Sequence, residues 1–498
     1  MRVRTAGASR AGSSDGGAPV NRQIVQLFGL SLILFATLIA FTSRWTVFEA
    51  EGLTDDPSNR RPLIEEQRIP RGLIKAADGT VLARSEPRGR GQARTFVRTY
   101  PAGGLFSNVV GYSFIERGRA GLEQSRNADL AGEEDEFGTI FSQLQSQQRE
   151  GADVKTTLDP GAQQAAIDAL AGQTGSVVAI EPQTGRVRVM ASLPGYDPNQ
   201  IPDDFSALST DEARPLFNRA TQTSYPPGST FKVVTAAAAL DSGKFEPESV
   251  LDGSSPRSIS GVPLANSGGA SFGAISLTDA LTNSVNTVWA QVGEQIGPET
   301  LLDTMQKFGF GQDPPLDYPG DQMLASGIRN SAGDLVDAEG GFDIGRVAIG
   351  QGGEEGQTLV SPLQMAMVVA AIGNDGVLMR PRLTEQVVAK DGRVEDRIQP
   401  ERIGRVISQQ SADQLGVMMS NVVEEGTGTA AALSGIDVAG KTGTAEVDNA
   451  TSNQAWFIAF APVDDPQLAI AVTVERTQGQ GGTEAAPIAK TVLEELLE

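Results

Sequence analysis

Three short stretches carry residue types whose spacing could do acyl-transfer chemistry. The first is "YPPGSTFK", with Ser229 followed three residues later by Lys232. Pro226 and Pro227 disfavour helix before them, so a helix should begin near Ser229 and put Ser229 and Lys232 on one face. Ser229 then sits among the free N–H groups of a helix start, which favour developing negative charge. Lys232 falls on an apolar, alanine-rich segment, where desolvation would lower its pKa and let it act as a base. The second stretch is "TNSVNT", in which Ser284 could relay a proton and Asn286 could hold an amide. The third is "GKTGTAEV". In a strand, Lys441 and Gly443 share one face and Thr442 and Thr444 the other. Lys441 supplies positive charge, Gly443 permits close approach of another molecule, and the threonine hydroxyls can bind a carboxylate.

Composition narrows the chemistry further. The 498 residues include no histidine and no cysteine. A Ser-His-Asp triad, a thiolate nucleophile and cysteine or histidine metal sites are excluded. Ser-Lys is the leading histidine-free route for a hydroxyl nucleophile, and carboxylate chemistry such as glycoside hydrolysis stays open on composition alone. The net charge of −22 argues against a nucleic-acid partner. Length and a hydrophobic content of 39% predict two or three domains with sizeable cores.

The elements that must position these residues follow from pattern. Residues 1–23 read as a basic, disordered cytoplasmic tail. Residues 24–42 are uncharged and, at ~1.5 Å per residue, cover roughly the ~30 Å hydrocarbon core. They are expected to be one uncleaved anchor, with Arg44 and Trp45 marking the interface beyond it and all that follows Ser43 outside the cell. A cleaved signal peptide or a buried core helix are the alternatives. Residues 43–152 form a polar region with a hairpin over 72–85, turning at Asp78-Gly79, and an acidic loop at 131–137. From residue 153 onward the pattern is regular. It predicts helices at 161–170, 229–243 and 484–498, a hairpin over 175–192, and two strands within 455–475. That order suggests an antiparallel sheet with helices on its faces.

Ser229-x-x-Lys232, Ser284-x-Asn286 and Lys441-Thr442-Gly443, in that order, form the signature shared by penicillin-binding proteins and class A β-lactamases. The usual middle Asp of the second motif is Val285 here. Over nearly its whole length the chain resembles the class B penicillin-binding proteins, most of all the actinobacterial penicillin-binding protein A type. The stretches that carry the likeness include "PRGLI" (70–74), "AGLEQ" (120–124), "TTLDPGAQQAA" (156–166), "AIGQG" (348–352), "SPLQMA" (361–366) and "AWFIAFAP" (455–462). A departure follows Gly72, where Ala76-Ala77 replaces a frequent Asp-Arg pair.

The resemblance implies an α+β, multidomain, membrane-anchored protein. An elongated β-rich pedestal (43–152, dimerisation or interaction) would precede a penicillin-binding transpeptidase domain (153–498) with an all-helical subdomain. It implies a peptidoglycan D,D-transpeptidase acting on D-Ala-D-Ala stem peptides with an amine acceptor, in septal wall synthesis, and inactivated by β-lactams. Ser229 would be the nucleophile, Lys232 its base, Ser284 the proton relay and Lys441 the source of positive field. Asn286 would hold a substrate amide, and Thr442, Gly443 and Thr444 the substrate. Ser229 and Thr444 N–H groups would form the oxyanion hole. No metal or organic cofactor is implied. A membrane glycosyltransferase and other division proteins are the implied partners. A β-lactamase or carboxypeptidase, a bifunctional glycosyltransferase, and a β-lactam sensor or scaffold are the competing readings.

Overall fold

The computed structural model describes residues 18–44, 67–90, 94–132, 150–338, 340–447 and 451–497. The expected basic tail lies mostly, and the acidic loop at 131–137 largely, outside them. Two compact units are present, residues 1–67 and 68–498. In the first, helix α1 (Ala18–Ser43) includes a 22-residue span, Arg22–Ser43, of mean hydropathy 2.4. It is long and apolar enough to cross a membrane.

The second unit begins with the expected hairpin. Strand β1 (Ile74–Lys75) pairs antiparallel with β2 (Val81–Arg88), and β2 with β3 (Thr95–Thr99). Gly79 takes φ +94° at the turn. Strand β4 (Asp153–Thr156) then joins β1 in parallel. Beneath these strands Glu123 is fully buried between two guanidinium groups. Arg71 donates to its Oε2 at 3.0 Å and Arg98 to its Oε1 at 2.5 Å. Burial opposes its charge, but Arg98 and Arg71 overcome that and hold the carboxyl below its ordinary value.

Helix α2 (Pro160–Leu170), capped by Asp159, leads into β5 (Gly175–Ile180) and β6 (Val187–Leu193). A 3₁₀ turn over Gly228–Phe231 runs directly into helix α3 (Lys232–Asp241). Helices α4 (Leu277–Thr282), α5 (Asn286–Ile296) and α6 (Pro362–Gly373) follow. Strands β7 (Thr384–Val388) and β8 (Val394–Arg397) return to the first module. They complete a six-stranded sheet in the order β8-β7-β4-β1-β2-β3. Strands from before and after residue 152 thus share this sheet, and residues 68–498 form one compact unit.

Helix α7 (Gln409–Glu424) precedes β9 (Ala439–Val447), β10 (Ser452–Ala461), β11 (Leu468–Thr477) and the closing helix α8 (Ala485–Leu497). These strands form an antiparallel sheet in the order β9-β10-β11-β5-β6. Its strands are apolar on both faces because both faces are covered. Val177, Ala179, Ala459, Ile470 and Val472 pack with α2 and α8. The alternate residues Val178, Ile180, Ile458, Phe460 and Ala471 pack with α3, α6 and α7. The chain is thus an α+β protein whose main sheet is flanked by helices. β9 stands at the sheet edge, next to the 3₁₀ turn that carries Ser229.

Replacing Glu123 by Ala would remove the carboxylate held between two buried guanidinium groups. A loss of about 3–5 kcal/mol is expected, measured as a lowered unfolding midpoint of the full chain. An unchanged midpoint would contradict the packing described.

Candidate active site

The site is assembled from backbones that touch. Gly228 has φ +52°, and a Cβ there would lie 2.8 Å from Thr444 O. A Cβ on Gly443 would lie 2.6 Å from Pro227 O and 2.8 Å from Thr230 Cγ2. The 3₁₀ turn therefore lies directly on strand β9, which only glycine allows at these points. The close approach expected at Gly443 is made by the chain's own turn rather than by another molecule. From the other side Gly350 (φ +74°) seats on Gly228, its would-be Cβ 2.0 Å from Gly228 O, while Gly228 N donates to Gly350 O at 3.1 Å. That is the part played by "AIGQG", which sequence reasoning matched to a family without assigning a task. Trp456 Nε1 donates to Pro226 O at 3.0 Å and fixes the approach to the turn.

Ser284 occupies an unusual backbone position. Helix α4 ends in a Schellman motif, with Ser284 N donating to Leu281 O at 3.1 Å and Val285 N to Ala280 O at 2.8 Å. The left-handed residue of that motif is commonly glycine, yet here it is Ser284 at φ +57°. The strain is of order 1 kcal/mol. In return, the serine presents both its carbonyl and its hydroxyl to Lys232. Val285 is fully buried, so the side chain at the departing middle position packs into the core.

Lys232 is the hub. It is wholly buried, and its Nζ lies 2.6 Å from Asn286 Oδ1, 2.8 Å from Ser284 O, 3.0 Å from Ser229 Oγ and 3.2 Å from Ser284 Oγ. The two shortest contacts are to oxygens that can only accept. A neutral amine has two N–H groups and one lone pair. The Asn286 and Ser284 carbonyl oxygens take both N–H groups and leave the lone pair for a hydroxyl. Burial, and secondarily the neighbouring Lys441, push the Lys232 pKa well below that of an ordinary lysine. Lys441 is also fully buried and donates to Ser284 Oγ and to Thr442 O, each at 3.0 Å. Burial lowers its pKa to about 7.

Ser229, Lys232, Ser284, Asn286 and Lys441 meet here, with one adjustment. Asn286 Oδ1 is engaged by Lys232, and Asn286 Nδ2 donates to Ala265 O at 3.1 Å. One amide N–H is left for a ligand rather than a full donor–acceptor pair. Thr442 and Thr444 project to the opposite face of β9 from Lys441. Two groups that sequence reasoning did not pick out touch them: Thr427 Oγ1 lies 2.6 Å from Thr442 Oγ1, and Gly481 N donates to Thr444 Oγ1 at 3.1 Å. Neither stands in a recognisable spacing, because both reach the strand from separate loops. A cavity of about 340 Å³ lies beyond Pro226 and Val447, walled by Tyr225, Gln454 and Glu475; none of the candidate residues lines it. Among the described residues no group of three or more carboxylates could hold a metal ion.

A buried lysine amine beside a serine at a helix start is an arrangement for acyl transfer. The family model for the penicillin-binding protein transpeptidase domain matches residues 175–494. The chain belongs to that family. A second model, the penicillin-binding protein A dimerisation domain, matches residues 71–154. The chain is 36% identical to the peptidoglycan D,D-transpeptidase PbpA of Mycolicibacterium smegmatis, over 93% of this chain and 96% of that one. It is 33% identical to PbpA of Mycobacterium tuberculosis, over 94% and 97%. The solved ceftriaxone acyl-enzyme of M. tuberculosis penicillin-binding protein A superposes with a TM-score of 0.77 at 32% identity, covering 88% of this chain and all of that one. The chain is a serine-type D,D-transpeptidase.

Were Lys232 the base for Ser229, it would have to be neutral to take a proton, and acylation by a penicillin should fall as pH drops through its lowered pKa. It should fall again above about 7, as Lys441 loses its charge. Lys441→Arg keeps the charge and is expected to move the alkaline limb up by at least about one pH unit. A native profile flat above neutrality would contradict this assignment.

Proposed function

We propose that this transpeptidase cross-links peptidoglycan through a serine acyl-enzyme formed on D-Ala-D-Ala stem peptides. The observation that carries the reading is the Lys232 Nζ to Ser229 Oγ contact at 3.0 Å, on an amine whose two N–H groups have other acceptors. Ser229 Oγ attacks the penultimate D-alanine carbonyl while Lys232 Nζ takes its proton. Ser229 N belongs to the first turn of a helical segment, whose N–H groups have no partner within the helix. With Thr444 N it would hold the oxyanion. Ser284, between Lys232 and Lys441, passes the proton to the departing D-alanine amine. The amine of a second stem peptide then attacks the ester, and Ser229 recovers its proton through Lys232.

The substrate backbone has a natural seat. β9 is an edge strand, so an extended peptide can add to it as a further strand. Thr442 and Thr444 then meet the terminal carboxylate, Gly443 lets the turn pack beneath, and the remaining Asn286 N–H meets a substrate amide. Lys441 keeps the local field positive. β-Lactams acylate Ser229 because they share the acyl-D-Ala-D-Ala pattern.

The topology we favour is a single-pass anchor, α1, with the N-terminus in the cytoplasm and residues beyond Ser43 outside. A septal role, alongside a membrane glycosyltransferase and other division proteins, rests on the likeness to penicillin-binding protein A. Septal enrichment of the tagged chain would support that role, and exclusive enrichment at sites of elongation would remove it.

A fluorescent penicillin is expected to label the chain stoichiometrically and Ser229→Ala to take no label. Release of the label should be slower than minutes. Labelling retained by Ser229→Ala would remove the nucleophile assignment, and rapid release would favour a β-lactamase.

A further inference from the structure

The hydroxyls of Thr442 and Thr444 are each held from behind. Gly481 N donates to Thr444 Oγ1 at 3.1 Å, and Thr427 Oγ1 lies 2.6 Å from Thr442 Oγ1. A hydroxyl has one proton to give and two lone pairs. An amide N–H can only donate, so the Thr444 proton must point elsewhere. Between Thr427 and Thr442 a single proton is shared. Only if Thr427 donates is the Thr442 proton free for an anion.

The surroundings fix Thr427 in place even though its side chain is exposed. Its N–H donates to Thr282 O at 3.4 Å. A Cβ on the preceding Gly426 would lie 2.6 Å from Thr282 O, and one on Gly482 would lie 2.5 Å from Thr427 O. The 426–428 turn is thus clamped between the C-terminal turn of helix α4, which leads into Ser284, and the loop that carries Gly481. A Cβ on Gly481 would in turn lie 2.4 Å from Gly443 O. Proton-relay serine, substrate strand and covering loop all bear on this one turn.

We propose that Thr427 is a positioning residue for carboxylate recognition. By donating to Thr442 Oγ1 it directs the Thr442 proton to the terminal carboxylate of the acyl donor, as the Gly481 N–H does for Thr444. Two hydroxyl protons then converge on one carboxylate. The ligand class is an acyl donor ending in a free carboxylate, whether stem peptide or penam. The inference rests on the reading that Thr442 and Thr444 bind that carboxylate.

The test compares acylation of the full chain by benzylpenicillin and by its methyl ester. Thr427→Val is expected to lower the acid-to-ester rate ratio roughly 10-fold, the scale of a hydrogen bond to a charged group. Thr427→Ser should restore the ratio. In a Thr442→Val background, adding Thr427→Val should change the ratio by less than about twofold, because its effect runs through Thr442. An unchanged ratio in Thr427→Val, an equal loss on both substrates, or a further loss in the Thr442→Val background would each overturn the proposal. Should Thr427→Val fail to fold, Thr427→Ala carries the same comparison. Failure of the underlying reading is separately visible. In that case the unaltered chain would acylate acid and ester alike, or Ser229 would take no label.

Discussion

The site depends on one buried amine. Lys232 is surrounded by oxygen atoms, yet burial and the neighbouring Lys441 oppose its charge. A buried ammonium without a carboxylate partner is expensive, so the neutral form is favoured. Neutrality sets the hydrogen-bond directions around it. Asn286 Oδ1 and Ser284 O accept, and the lone pair faces the serine hydroxyls. Each of the other motif residues has its place in relation to that amine. Asn286 opens α5, Ser284 closes α4, and Ser229 precedes Lys232 on the same turn.

This arrangement needs close backbone contact, and the glycines supply it. Gly228, Gly350, Gly443 and Gly481 each sit where a methyl group would fall within 3 Å of another backbone atom. They lie on four different segments, so the catalytic turn is pressed against the strand from several directions. The apolar layers on both faces of the main sheet keep the strand from yielding. In physical terms, the large core behind the sheet sustains a small strained region in front of it, of which the left-handed Ser284 is the clearest part.

Much of the fold was readable because it rests on local signals. The hairpins at 74–88 and 175–193, the strands 452–477 and the helices at 160–170, 232–241 and 485–497 follow from alternation, turn residues and caps. Residue type and spacing, with the absence of histidine, pointed to Ser229, Lys232, Ser284, Asn286 and Lys441, and these five side chains lie in contact. What pattern did not convey was long-range. The parallel pairing of β1 with β4 joins residues about eighty positions apart in sequence. Nothing in "GTGTAA" or "GQGGTE" announces that Thr427 and Gly481 support the threonines of β9. Asn286 illustrates the same limit. Its type suggested a ligand for substrate, but its carbonyl is held by Lys232, a contact that exists only once α3 and α5 pack together.

The position of β9 at the sheet edge joins these points. An unpaired edge invites unwanted pairing and is usually short, charged or covered. This one is nine residues long, and most of its side chains are buried. It is guarded instead by geometry. The 3₁₀ turn lies against it at Gly443, Gly481 closes over it, and the Thr427 turn lies beside Thr442. On the proposed reading, a peptide that adds along this edge ends there, with its carboxylate against the Thr442 and Thr444 hydroxyls. On that reading, the protection of the edge and the preference for a chain terminus have the same structural source.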